Sequence, residues 1–177
     1  MTETFQDAML KIHCCHFYRG VYPWVQNYLV TPYWRFYWNP TPGACIRIGG
    51  RVLELTPSDF YVIPGHLKFR TFARKPFDHF FIHFKLNDRL PLRNEIYRLP
   101  ADPEGIRLIR EFQELEGHPG NELPGHIRAL AVLTPALLRL DRELFRLPVQ
   151  MDSRVEKLCR KIGLHPECHY ANEELAE

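Results

Sequence analysis

The chain has 177 residues, which is enough for one domain of about 150 residues and part of another. Hydrophobic residues make up 45% and aromatic residues 13%, which excludes a disordered chain, and the net charge of +2 argues against a dedicated nucleic-acid surface. No apolar run approaches the roughly 20 residues that span a bilayer, and the N-terminus lacks the apolar core of a signal peptide. The chain has five cysteines, two of them adjacent, which favours a reducing, cytoplasmic setting over a disulfide framework.

The first half of the chain reads as short strands. Apolar or alternating runs such as HCCHFY, YWRFYWN, ACIRIGG, FYVIPG and DHFFIHFKL are separated by turn sequences such as NPTPG, TPSD and ARKP. Strands of this length, rich in Phe, Tyr, Trp, Val and Ile, predict a β-sandwich or barrel. No helical period appears before Pro103, so we expect a mainly β fold with C-terminal helices.

Two helices are predicted after Pro103. The first has Ile106, Ile109, Phe112 and Leu115 on one face and Gly117 just past its end. The second carries a row of leucines at alternating spacings of three and four, namely Leu130, Leu133, Leu137, Leu140, Leu144 and Leu147. A second apolar row on an adjoining face consists of Ile127, Ala131, Thr134, Leu138 and Phe145.

The two rows cannot both face one neighbour unless the helix is wholly buried. We therefore infer that one row packs on the β-domain and that the other meets a partner; the alternative is a monomer in which the whole helix is core. Pro135 removes a backbone hydrogen bond and should kink or split this helix, and the continuous leucine row favours a kink.

The order of these segments resembles the AraC/XylS family of bacterial transcriptional regulators. YWRFYWNPTPGACIRIGGRVLELTPSDFYVIPGHLKFRTF is similar to the family's sensor module, HFFIHF to the strand that closes the sandwich, and IRALAVLTPALLRL to its paired dimerisation helices. DSRVEKLCRKI followed by ANEELAE resembles the first helix of the DNA-binding domain and the start of a helix-turn-helix. The resemblance implies a cupin-like β sensor domain over 1–100, a helical dimerisation segment over 101–147, and a linker with a truncated helix-turn-helix domain over 148–177.

The same resemblance implies a function. It implies a cupin-like jelly-roll sandwich or barrel that is followed by a helical dimerisation hairpin. Such a domain would bind a small-molecule effector, with a sugar as the family-weighted choice. The bound effector would control DNA binding by the missing C-terminal domain. We expect a homodimer that uses the leucine row, with the interface formed by Leu130, Leu133, Leu137, Leu140 and Leu144. We expect no enzyme activity, no cofactor, no metal and no membrane contact.

Candidate ligand residues lie on three segments. His79, Phe81 and His83 share one face of their strand, opposite an apolar face, and two imidazoles with an aromatic ring suit a small polar ligand. The family resemblance implies sugar contacts on this strand, with His79 and Phe81 the best-matched positions. Further candidates are Trp38, whose ring could stack on a sugar, and His66 and Arg70 in and after the loop that follows Ile63-Pro64; Arg35 is the less favoured choice from its strand. The alternative is that the aromatic row and the histidines are core and that His66 and Arg70 are solvated surface.

Two rival functions stay open. A metal-dependent cupin enzyme would need a His-x-His pair, but His66 is followed by Leu67 and Lys68, and His79 and His83 should lie roughly 13 Å apart along a strand. The HCCH run at 13–16 alternates between two faces of a strand and cannot converge on one metal. The second rival is a regulator that a protein partner controls, with an aromatic-filled barrel and no small-molecule ligand.

Overall fold

A computed structural model of the protein describes residues 10–86, 95–116 and 122–140, which contain nine strands and two helices. The strands are β1 (Lys11–Val21), β2 (Gln26–Leu29), β3 (Trp34–Trp38), β4 (Ala44–Ile48), β5 (Arg51–Glu54), β6 (Asp59–Ile63), β7 (Phe69–Ala73), β8 (Phe77–Lys85) and β9 (Tyr97–Pro100). The helices are α1 (Pro103–Leu115) and α2 (Glu122–Leu138). The predicted change from strands to helices near Pro103 is confirmed.

The strands form two antiparallel sheets that pack as a sandwich. The first sheet has the order β1-β8-β3-β6-β9 and the second has the order β2-β7-β4-β5. The first sheet contains the pairs β1–β8 and β3–β6, and the second contains the pairs β2–β7 and β4–β5. This alternation of pairs between two sheets is the topology of a jelly roll. The predicted jelly-roll sandwich is confirmed, and β9 extends the first sheet beyond β6.

The helices cover the outer face of the first sheet. The aromatic and aliphatic side chains of that face and the helices form one core, which includes Phe36, Trp38, Phe60, Phe80, Ile82, Phe84, Ile109, Phe112, Ala129 and Leu133. The rings of Phe80 and Phe112 meet edge to face with their centroids 5.5 Å apart. The apolar face that the sequence predicted for β8 therefore packs against helices, as expected.

The start of α1 is fixed by a cap and by a close approach to the sheet. The carboxylate of Asp102 accepts a hydrogen bond from the backbone N–H of Gly105 at 2.7 Å, and Pro103 occupies the first turn. A Cβ at Gly105 would lie 2.9 Å from two ring carbons of Phe60, so glycine lets the helix approach this closely. Ile109 and Phe112 then point into the core.

The leucine row of α2 packs inside the molecule, and its assignment to a dimer interface is wrong. Leu133, Leu137 and Leu140 are 0%, 8% and 4% exposed, and Leu130 packs against the same core. These side chains contact the sheet and α1, so a partner could reach them only if the domain came apart. Leu144 lies outside the described residues.

The second apolar row is the one that faces outward. Ile127 is 57% exposed and Leu138 is 77% exposed, while Ala131 and Thr134 lie between them on the exposed side. Leu123, 68% exposed, extends this surface by one turn, and we name the five residues the outer row. The helix continues through Pro135 to Leu138. Neither described helix is long and apolar enough to cross a bilayer.

Some sequence predictions concern residues that lie outside the described ranges. The short helix expected near 152–162 and the start of a helix-turn-helix fall in 141–177, outside the described ranges. The domain boundaries after residues 100 and 147 stay predictions.

Candidate functional site

The inner face of the first sheet carries polar side chains in rows that cross β1, β8 and β3. Directly opposite residues of antiparallel strands point to the same face, so the strand register decides which side chains meet. The rows are Cys14–His83–Arg35, His16–Phe81–Tyr37 and Tyr18–His79. All of these side chains face the second sheet, and we name this region the inner cluster.

Exposure falls across the inner cluster from the edge of the sheet to its centre. In one row the side chain of His16 is 44% exposed, whereas Tyr37 is 3% exposed and Tyr61, opposite Tyr37 on β6, is fully buried. In the next row Tyr18 is 49% exposed and His79 only 4%. A molecule from solvent would therefore enter at the β1 edge.

An aromatic side chain between β1 and β2 forms part of the opposite wall. The indole of Trp24 is buried, with its centroid 5.1 Å from the ring of His79, 6.1 Å from Tyr37 and 5.2 Å from Phe77. The rings of Phe81 and His79 stack at 5.3 Å. The polar groups of the inner cluster thus lie among aromatic surfaces.

His79 is held neutral by burial. Its Nδ1 lies 2.6 Å from Oδ1 of Asn39, so the N–H at Nδ1 donates to the amide oxygen. Desolvation, with a smaller contribution from His83, lowers the pKa of His79 to about 3. The amide nitrogen of Asn39 is buried and has no hydrogen-bond partner, so this pair leaves one donor unsatisfied.

Arg35 places a buried positive charge in the inner cluster. It is 2% exposed, and its Nη2 donates to Oγ1 of Thr31 at 2.6 Å while Nη1 donates to the backbone oxygen of Tyr33 at 3.4 Å. Its guanidinium lies over the ring of Phe69, 5.2 Å from the centroid. Burial lowers the pKa of Arg35, but an arginine remains charged at neutral pH.

The groups beside Arg35 carry no negative charge at neutral pH. Sγ of Cys14 lies 3.4 Å from Nδ1 of His83. Burial, followed by the charge of Arg35, lowers the pKa of His83 to about 4, and burial raises the pKa of Cys14 above its ordinary value. Burial also raises the pKa of Tyr37, so its phenol stays protonated. The inner cluster therefore offers hydrogen bonds and one positive charge in an aromatic enclosure.

The structure brings together three of the six residues that the sequence proposed for ligand binding. His79, Phe81 and His83 share the inner face of β8. Trp38 lies on the outer face of the same sheet, where it is 3% exposed and its Nε1 donates to the backbone oxygen of Pro57 at 3.0 Å. Its assignment to this site is wrong, because β3 is buried on both faces and its composition does not reveal which face is inner.

The other two proposed residues lie apart from the inner cluster. His66 is exposed, with φ of 61° in the left-handed region, and its backbone N–H donates to Thr31 at 2.7 Å. Arg70 projects from the outer face of the second sheet, opposite Arg47, and the two arginines line a surface cleft of about 270 Å³. Grouping these residues with His79 is therefore wrong: strand alternation sends the neighbours of Arg70, not Arg70 itself, inward.

Sequence reasoning missed several residues in and next to the inner cluster. Cys14, Asn39 and Trp24 were not proposed, and Arg35 was the less favoured choice from its strand. The alternation in HCCHFY was the available signal, because it sends Cys14, His16 and Tyr18 to one face. Within 10–86, 95–116 and 122–140, no three His, Cys, Asp or Glu side chains are grouped closely enough to hold a metal ion.

Comparisons with known proteins identify a shared fold. No family model and no curated protein sequence matches the chain. The apo form of a ToxT variant from Vibrio cholerae strain SCE256 matches with a TM-score of 0.56 and 9% identity, over 91% of this chain and 68% of that chain. ToxT from Vibrio cholerae O395 bound to (E)-4-(8-methylnaphthalen-1-yl)but-3-enoic acid gives 0.55 and 8%, over 94% and 69%. Wild-type ToxT from strain SCE256 with a bound unsaturated fatty acid gives 0.52 and 7%, over 94% and 66%. The chain has the fold of the matched part of ToxT.

Proposed function

We propose that this chain is the effector-binding and dimerisation domain of a bacterial transcription regulator of the AraC/XylS type. A small molecule enters the jelly roll at the β1 edge, binds the inner cluster and controls DNA binding by a C-terminal domain. The observation that carries the proposal is that, among the described residues, the buried amide nitrogen of Asn39 and most of the N–H groups of Arg35 have no hydrogen-bond partner. Buried polar groups in a structural core are normally satisfied, whereas those of a ligand site await the ligand.

Two lines of support come from outside the site. The segments quoted above resemble the AraC/XylS sensor module, and the fold is shared with ToxT, which binds an unsaturated fatty acid and a butenoic acid derivative in the solved structures. We propose a cytoplasmic regulator without enzyme activity, as the AraC/XylS resemblance implies.

The effector chemistry has two candidates. The sequence favoured a sugar, and in the structure Trp24 would replace Trp38 as the ring on which a sugar stacks. The ToxT ligands favour a carboxylic acid with an apolar body. Both would use the hydroxyl of Tyr37, to which no described group bonds.

We propose that the homodimer forms through the outer row of α2. Leu123, Ile127 and Leu138 expose large apolar side chains along one side of a helix, which is a surface that a second copy of the helix can cover. This replaces the leucine row, which the core already uses.

A route for coupling connects the two parts. The ring of His16 contacts Phe81 with centroids 5.7 Å apart, and its Nδ1 lies 3.0 Å from Oε1 of Glu116, at the end of α1. A ligand that moves Phe81 or His16 would therefore act on the helical hairpin, and so on the relative position of two protomers.

Thermal-shift measurements on the 177-residue chain test the proposal with sugars, sugar acids, fatty acids and divalent metals. A ligand at about 100 times its Kd adds about 2.7 kcal/mol to the free energy of unfolding, which raises Tm by several degrees. We expect an organic ligand to do this. A shift with transition metals alone would instead support a metal-dependent cupin enzyme, and no shift would support control by a protein partner.

Two matched variants locate the site. Tyr37→Phe removes a hydroxyl that has no partner among the described residues, so it should keep the Tm of the free protein and reduce the ligand-induced shift. Tyr61→Phe removes a hydroxyl that accepts from the backbone of Thr56 at 2.9 Å, so it should lower the Tm and preserve the shift. The reverse result would place the ligand elsewhere.

A further inference from the structure

Arg35 is a buried cation that has no carboxylate partner within 10–86, 95–116 and 122–140. Its two hydrogen bonds in the structure go to neutral oxygens, the hydroxyl of Thr31 and the backbone carbonyl of Tyr33. A guanidinium has five N–H donors, so most of its bonding capacity is unfilled by the described residues. A buried charge that lacks a counterion lowers the stability of a folded protein. Such a group is therefore better explained by binding a ligand than by stabilising the fold.

The side chains around Arg35 provide no counterion. In its row, the thiol of Cys14 and the imidazole of His83 are both neutral at pH 7, because burial disfavours the charged form of each. Tyr37, two residues along β3, stays protonated for the same reason. The inner cluster has a charge of +1 that the described chain does not balance.

Aromatic rings also surround this charge. The guanidinium lies over the ring of Phe69, the ring centroids of Phe81 and His83 are 4.8 Å apart, and those of Trp24 and Tyr37 are 6.1 Å apart. A bound molecule would therefore meet one cation and several aromatic faces. Arg35 itself is 2% exposed, so solvent screens its charge only weakly.

We propose that the effector is a monocarboxylate with an apolar body and that Arg35 binds its carboxylate group. A carboxylate matches the planar fork of the guanidinium and balances its single charge, which a neutral sugar cannot do. The histidines and Tyr37 then act as neutral hydrogen-bonding groups, and the aromatic rings contact the body of the ligand. This inference rests on the proposed small-molecule function and specifies its ligand class.

Calorimetric titration with matched ligand pairs tests the charge directly. The 177-residue chain is titrated with straight-chain acids from butanoate to dodecanoate and with 3-phenylpropionate, each beside its primary amide, and with glucuronate beside glucose. We expect at least one acid to bind about tenfold or more tightly than its amide, since a charge-assisted pair replaces a neutral hydrogen bond.

The outcomes separate the two proposals. If an amide binds as tightly as its acid, or glucose as tightly as glucuronate, the ligand class is wrong while the small-molecule function stands. If no acid, amide or sugar binds, both are wrong.

Variants of Arg35 assign the preference to this residue. Arg35→Met keeps the length of the side chain without its charge, so we expect it to lose the preference for acids and to keep or raise the Tm of the free protein. Arg35→Lys keeps the charge but not the fork, so it should retain a reduced preference, and it provides the test if the methionine variant does not fold. Arg70→Met, on the outer face of the second sheet, is the control and should bind acids like the native chain. An unchanged preference in Arg35→Met would overturn the proposal.

Discussion

The ring of His79 and the side-chain amide of Asn39 form a hydrogen bond of 2.6 Å between Nδ1 and Oδ1 inside the sandwich. The bond fixes the proton of His79 on Nδ1 and leaves Nε2 as an acceptor directed away from Asn39. Trp24, Tyr37 and Phe81 surround the imidazole with rings. His79 is thus a neutral group of fixed orientation rather than a charge.

This burial predicts how stability depends on pH. The pKa of His79 lies at about 3 in the fold, against an ordinary value of 6.5. Between these values the unfolded chain binds a proton that the folded chain does not, so the free energy of unfolding falls as the pH falls below 6.5. From pH 7 to 5.5 His79 should account for a loss of about 1 kcal/mol, measured by urea unfolding.

The variant His79→Gln isolates this contribution. It removes the titrating group, so its stability should fall less than that of the native chain over the same pH range. His126→Gln, at an exposed position of α2, is the control for the substitution itself and should keep the native free energy of unfolding at pH 7. Equal slopes for His79→Gln and the native chain would contradict the assignment.

Gly105 predicts an unusual response to alanine. In a helix this substitution normally stabilises by up to about 1 kcal/mol, but here the new Cβ would lie 2.9 Å from the ring of Phe60, which is 1% exposed and cannot yield. We therefore expect Gly105→Ala to lower the Tm. Gly125→Ala is the matched control, because its Cβ would meet Phe112 at the looser distance of 3.3 Å, and it should cost less. A higher Tm for Gly105→Ala would show that α1 does not pack this closely.

Substitutions in the outer row should disrupt dimerisation without lowering the stability of the fold. Ile127→Glu together with Leu138→Glu changes side chains that are 57% and 77% exposed, so the double variant should sediment as a monomer with a near-native Tm. Leu133→Ala, at a fully buried position, should instead cost about 2–5 kcal/mol of stability. Sedimentation velocity over a range of concentrations decides the point. A dimer that survives both glutamates would exclude this surface.

The sequence predicted the jelly roll and the faces of β8 because their signals are local. Phe80, Ile82 and Phe84 make one face of the strand wholly apolar, while the two histidines, His79 and His83, lie on the other, so the pattern itself separates the inner face from the outer one. In β3 all five residues are buried, and nothing in WRFYW tells which face is inner, so Trp38 was preferred to Arg35. The correct choice depends on pairing with β8, which is a long-range relationship.

The same limit explains the error in α2. Both of its rows are apolar, so periodicity alone cannot decide which one the sheet covers. The decision comes from the rotation of the helix against Phe80 and Phe112, which only the packed structure provides. The cluster around Arg35 was missed for a related reason, since Cys14 joins it only through the register of β1 with β8.

Substitution of Glu116 should loosen β1 locally, at the edge of the first sheet. Its Oε2 accepts from the backbone N–H of Phe17 at 2.9 Å, its Oε1 lies 3.0 Å from Nδ1 of His16, and its backbone ends α1. Among the described strands β1 lies at the edge of the first sheet, so the carboxylate satisfies a backbone donor that none of those strands pairs. Glu116→Ala should therefore speed hydrogen exchange at the amide of Phe17 and cost about 1–2 kcal/mol of stability.

A conservative variant of Glu116 and a control variant elsewhere on α1 complete this test. Glu116→Gln keeps an oxygen that can accept from Phe17, so its amide exchange should lie between those of the native chain and Glu116→Ala. Glu114→Ala, at an exposed position of the same helix, should leave the Phe17 amide unchanged. If Glu116→Ala exchanges at the native rate, the helical hairpin does not hold β1 through this carboxylate, and the route from the inner cluster to the outer row must run elsewhere.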